Sequence, residues 1–253
     1  MPCSPSNFRH WLWTGAAAGL LLAACSPGKP KDADLPEDLS VSLKPAFQTA
    51  FGGDAPVAHD IVRGGKTITL QFSPAAIANL KDGRVALVSR GVASDGCQDC
   101  DWAVAVHYLS AKDNHFTPAG EWWDVLKPGL LDQPPEAHIR EDLFSRPAVQ
   151  IEGDLRDRGC DMKTAALIAF EPAGPVLRVK DVSTARSNIP MGALRTGLQV
   201  DYDANIVADK RDKAFHVHYR GTSEGDAAYA PGADGMWKPS GGLKLPECGI
   251  PGS

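Results

Sequence analysis

The stretch Trp102-Ala103-Val104-Ala105-Val106-His107-Tyr108-Leu109 sets the tightest limit on the fold of this chain. In a strand, successive side chains point to opposite faces. Ala103, Ala105, His107 and Leu109 therefore share one face, and Trp102, Val104, Val106 and Tyr108 share the other. Both sets are mainly apolar, so the segment must be covered on both sides, and the pattern predicts a central strand.

Shorter segments of the same character follow at roughly ten-residue spacing. Asp60 to Phe72 is β-branched or alternating around Gly64-Gly65-Lys66 and predicts a hairpin. Arg84–Ser89, Phe116–Val125, Ala148–Glu152, Thr164–Glu171 and Val176–Val182 predict further strands, the last two joined by a turn at Pro172-Ala173-Gly174-Pro175. Leu198, Val200 and Tyr202 alternate, as do Phe215, Val217 and Tyr219, and Tyr229 to Lys238 is expected to close the sheet. Ser73-Pro74 before Ala75, Ala76, Ile77 and Leu80 predicts one short helix, with Ser73 as its cap. No other stretch shows a 3.6-residue period. The fold class is therefore mainly β, an antiparallel β-sandwich or barrel-like domain with little helix.

The N-terminus reads differently. Arg9 and His10 precede an apolar run from Trp11 to Leu21, which ends on Leu22-Ala23-Ala24-Cys25. A positive start, an apolar middle and small residues at the end form a secretory signal. The run is too short to span a bilayer, which takes about 18 or more apolar residues, and it stops at Ser26-Pro27-Gly28-Lys29-Pro30. Leu22-Ala23-Ala24-Cys25 resembles the lipobox of bacterial lipoproteins. The resemblance covers residues 1–25. It implies that residues 1–24 are a removed signal peptide and that the Cys25 thiol carries a diacylglycerol, so that the partner at this end is a membrane. Ser26 stands where an Asp retains lipoproteins of enterobacterial type in the inner membrane, which implies an outer-membrane, periplasm-facing position. Residues 25–40 are rich in Pro, Lys and Asp and predict a lipidated tether. Residues 41–253 are expected to form a single β-rich globular domain.

The chain carries 26 Lys and Arg against 31 Asp and Glu, a net charge of −5. That balance argues against nucleic acid as a partner. Of the six cysteines, Cys3 lies in the signal and Cys25 carries lipid. The remaining Cys97, Cys100, Cys160 and Cys248 predict two disulfides in an oxidising compartment. The expected pairing is Cys97–Cys100 with Cys160–Cys248, one of three connectivities. Cys97-Gln98-Asp99-Cys100-Asp101 is followed by a strand, where redox enzymes place a helix, and its aspartates raise thiol pKa values, so a structural role is expected.

Three groups of residues are candidates for a site. His216 and His218 alternate on a strand, so both rings point to one side, as a shared zinc ion would require. Asp201, Asp203, Asn205, Asp209 and Asp212 fall at calcium-loop spacing, but Ile206 stands where the loop needs Gly, and a polar hairpin explains the pattern equally well. Trp122 and Trp123, among prolines, suit recognition of a protein or glycan. No G-x-S-x-G, phosphate loop or dinucleotide fingerprint occurs. The expected cofactor is none, with calcium or zinc the only metals the residues suggest. The expected function is an envelope-anchored lipoprotein acting as a binding module for a protein or cell-wall component, of the inhibitor or immunity type against a cell-wall-acting partner. The alternatives are a metal-dependent periplasmic hydrolase and a structural or assembly component of the envelope.

Overall fold

Two antiparallel sheets stack through the apolar strands, and one of them rolls over its own core. The computed structural model describes residues 39–93, 102–112, 115–126, 135–157, 160–189 and 199–246. The first sheet contains β1 (Val57–Arg63), β2 (Lys66–Asn79), β3 (Arg84–Ala93), β4 (Trp102–Lys112) and β5 (His115–Leu126), ordered as in the sequence. The second contains β6 (Glu136–Arg140), β7 (Ala148–Asp157), β8 (Cys160–Glu171), β9 (Gly174–Ser187), β10 (Asp201–Lys210), β11 (Ala214–Gly221), β12 (Gly225–Pro231) and β13 (Trp237–Gly242), again in sequential order. Within each sheet every connection joins neighbours, so each is an antiparallel meander, and the mainly β sandwich or barrel-like expectation holds.

β4 is buried from Trp102 to Leu109 without interruption. One face, with Trp102, Val104, Val106 and Tyr108, packs against Val149 and Ile151 of β7 and Ala166, Ile168 and Phe170 of β8. The Tyr108 hydroxyl crosses between the sheets and donates to the carbonyl of Glu171 at 2.9 Å. The other face, with Ala103, Ala105 and Leu109, packs with Leu70, Phe72 and Leu87 beneath a helix, α1 (Leu39–Phe51). β8 is likewise covered twice. Ala166, Ile168 and Phe170 face the first sheet, while Ala165, Leu167 and Ala169 face a separate core with Val179, Phe215, Val217 and Tyr219. The second sheet closes that core by curling, and Phe215 stacks on Tyr229 with centroids 4.9 Å apart.

Two expectations need correction. Residues 75–80 are not a helix. β2 runs on to Asn79, and Ala76 to Asn79 pair with Val85 to Val88 of β3. Pro74 sits at a bulge between Pro74 and Ala76, where its missing N–H is tolerated. Ile77 and Ala78 go to opposite cores, a two-sided burial that a strand satisfies and a single-striped helix does not. Conversely, α1 was not visible as a period. Its buried stripe is Ser42, Ala46 and Phe47, flanked by half-buried Leu43, Ala50 and Phe51, and a polar Ser, two Ala and the internal Pro45 dilute the apolar signal.

Trp122 of β5 lies where two glycines leave room for it. A Cβ on Gly120 would meet its ring at 2.7 Å and one on Gly174, at the start of β9, at 2.6 Å. Gly174 also has φ +144°, which disfavours a side chain. Gly174→Ala is expected to lower the unfolding free energy by about 2 kcal/mol. Gly65→Ala, at φ +77° in open space, should cost only about 1 kcal/mol. Equal losses in urea unfolding would show that Trp122 does not rely on Gly174.

Candidate functional site

A concavity of about 560 Å³ lies across β7 to β11. Strand register builds it. One row of paired positions crosses five strands, Asp154 to Lys163, Lys163 to Ala185, Ala185 to Asp203 and Asp203 to Arg220. A second row, two residues along, pairs Asp161 with Ser187 and Ser187 with Asp201. Residues two apart share a face, so both rows stand on the same side of the sheet. Tyr202, between them on β10, turns the other way and is 4% exposed in the core. Ala185 and Ser187 are small, so β9 is a low strip between charged β8 and charged β10, two strand spacings or roughly 10 Å apart.

Four carboxylates (Asp154, Asp161, Asp201, Asp203) and two cations (Lys163, Arg220) stand on this face, and Arg186, paired with Tyr202, borders the cleft from the other side of β9. Among the described residues, the side chains of Asp154, Lys163, Asp203 and Arg220 make no ion pair or hydrogen bond, although register sets opposite charges side by side. Several arginines elsewhere are committed to the fold. Arg63 holds Asp124 at 2.8 Å and the Trp102 carbonyl at 3.0 Å. Arg140 reaches Asp142, Gln150 and the Ile206 carbonyl, and Arg178 holds Glu171 at 2.6 Å. Arg186 is intermediate. Its Nη1 donates to the Pro246 carbonyl at 2.7 Å, while its buried Nε has no partner.

His216 and His218 do share one face of β11, between Val207 and Asn205 of β10 and Ala228 and Asp226 of β12. Their Nδ1 atoms are occupied, His216 by Asp209 at 2.6 Å and His218 by Asp226 at 2.7 Å. Asp226 also approaches His216 Nε2, at 3.9 Å. Among the described residues, no group of three or more His, Cys, Asp and Glu side chains is placed to hold a metal ion.

The calcium-loop spacing is overturned by the backbone. Asp201 to Lys210 is a strand, and at about 3.4 Å per residue Asp201 and Asp209 stand about 27 Å apart. Calcium ligands must all lie within about 2.6 Å of one ion. Asp203 and Asn205 are strand residues like Asp201, and Asp212 sits in the following turn at φ 59°, accepting from the Ser145 amide at 2.9 Å. The polar hairpin is what forms, and Asp201 and Asp203 enter the cleft instead.

Trp122 and Trp123 are each half-buried and lie on opposite faces of β5. Trp122 meets Tyr108 edge-on at 4.8 Å, and Trp123 stacks on His59 at 3.5 Å. Packing accounts for both rings, and neither lines the cleft. Cys160 is fully buried at the head of β8. Cys25, Cys97, Cys100 and Cys248 lie outside the described residues, as do the signal peptide and most of the tether. The cleft was not predicted from sequence as a site, because its members come from five strands and only their register unites them. Comparison with protein-family models, with curated proteins and with solved structures finds no match.

The uncommitted charges of the cleft contribute little to the fold. Asp203→Ala and Arg220→Ala are each expected to change stability by less than about 0.5 kcal/mol. Arg63→Ala, which strips a carbonyl and a carboxylate of a part-buried partner, should cost about 1–3 kcal/mol. Chemical denaturation of the three variants checks the contrast.

Proposed function

We propose that the chain is an envelope-anchored lipoprotein whose folded domain is a binding module, of the inhibitor or immunity type, for a partner at the periplasmic face. The observation that carries this reading is the cleft with free charges of both signs on a rigid antiparallel platform. Charges left unpaired by the fold are available to a partner, and complementary charges give specificity and speed of encounter. A protein or cell-wall component presenting alternating charges suits the surface, and the net charge of −5 disfavours nucleic acid. Lipid on Cys25 would hold the module at the outer membrane, and several acyl chains on one residue give a stable anchor. Cys160 is buried and is not a free thiol, which supports a disulfide to one of Cys97, Cys100 and Cys248, with Cys248 the expected partner.

The test is a pull-down from envelope extract using the mature chain with Cys25→Ala, read by mass spectrometry. A single dominant protein or glycan is expected. The Asp203→Lys, Arg220→Glu double variant should weaken its capture at least tenfold, as should raising the salt. Undiminished capture by the folded double variant would move the binding site away from the cleft.

A further inference from the structure

His107 is the most deeply buried imidazole described, 3% exposed, and neither of its nitrogens has a hydrogen-bond partner. It stands on the face of β4 that α1 covers. The Phe51 ring, from the last turn of α1, lies 4.9 Å from the imidazole, and Trp123 of β5 meets it edge-on at 4.6 Å. Phe51 also touches Phe72 at 5.5 Å and Trp123 at 5.2 Å, so one aromatic box is shared by the helix and the sheet. Buried polar groups are normally paired, and an unpaired one costs stability that Leu or Phe in its place would not.

We infer that His107 is an acid-sensitive latch for α1: the neutral ring is compatible with the aromatic box, the imidazolium is not, and protonation releases the helix from the first sheet. The titratable groups facing it are few. Glu121 is its cross-strand partner on β5, and His59 of β1 stacks on the far side of Trp123. α1 presents Leu43, Ala46, Phe47, Ala50 and Phe51, while β2 and β3 present Phe72 and Leu87, none of which titrates. Glu121 is exposed and makes no hydrogen bond to the ring, so an imidazolium would have no partner inside the box.

Burial holds the His107 pKa down to about 4 from its ordinary 6.5; Glu121 works against this lowering and His59 adds to it. A base whose pKa is depressed by folding binds its proton more readily when released. The closed latch is thus fully favoured above pH 6.5 and weakens as pH falls toward about 4. Between pH 7 and pH 5 the closed-to-open ratio should fall about twenty-fold.

The experiment is native-state hydrogen exchange on the mature chain at pH 7 and pH 5, corrected for intrinsic rates, comparing amides of 42–51 with those of β8 as an internal control. α1 is expected to lose about twenty-fold in protection relative to β8. In His107→Leu that loss should vanish, and in Glu121→Gln, an exposed change that removes the charge favouring the imidazolium, it should persist with its onset unchanged near pH 6.5. Protection of α1 that is the same at both pH values overturns the inference. So does acid release that persists in His107→Leu, or that disappears in His59→Phe, which would make His59 the sensor. Should His107→Leu not fold, His107→Met, equally unable to take a proton, decides in its place.

Discussion

Two strand segments with no polar face govern this architecture. Trp102–Leu109 of β4 and Ala165–Phe170 of β8 are buried on both sides, and water must be kept from both sides at once. Stacking the first sheet on β7 and β8 satisfies one side of each. The other sides are satisfied by unlike means. α1 lies down on the outer face of the first sheet, and the second sheet wraps its own later strands over β8. The remainder of the fold follows, since sequential antiparallel neighbours are the shortest connections that deliver these covers.

β4 was legible because its composition leaves only one solution. The hairpin at Gly64-Gly65, the strands at 84, 148, 164 and 176 and the alternating pair around 202 and 217 were legible for the same local reason. α1 and the end of β2 were not. α1 meets the sheet through Ala46 and Phe47 with a serine in the stripe, so size complementarity replaces a run of large apolar residues. Ile77 and Ala78 read as helix because Ser73-Pro74 is a good helix start. Pairing with β3 overrides that local preference, and the bulge at Pro74 absorbs the misfit.

The site was legible only in fragments. Asp201 and Asp203 stood out, but as part of an imagined loop. His216 and His218 do share a face, yet each is already held by a carboxylate that a neighbouring strand supplies. What defines the cleft is register over five strands, from Asp154 to Arg220, and no local pattern encodes that. His107 was visible as a lone imidazole on an apolar face. Its isolation from every acceptor depends on what α1, β1 and β5 bring over it.

The two covers differ in permanence. The second sheet is shielded by its own strands, which cannot leave without unravelling the ladder. The first is shielded by one helix of 13 residues, which packs on the sheet through side chains and is tied to it by the short segment 52–56. A chain trimmed by a protease before residue 52 would keep the curled half intact. It would also expose Leu70, Phe72 and Leu87 together as a continuous oily plate, a surface that invites self-association and quality-control factors. The N-terminal segment therefore acts as a built-in solubility cap for half of the molecule.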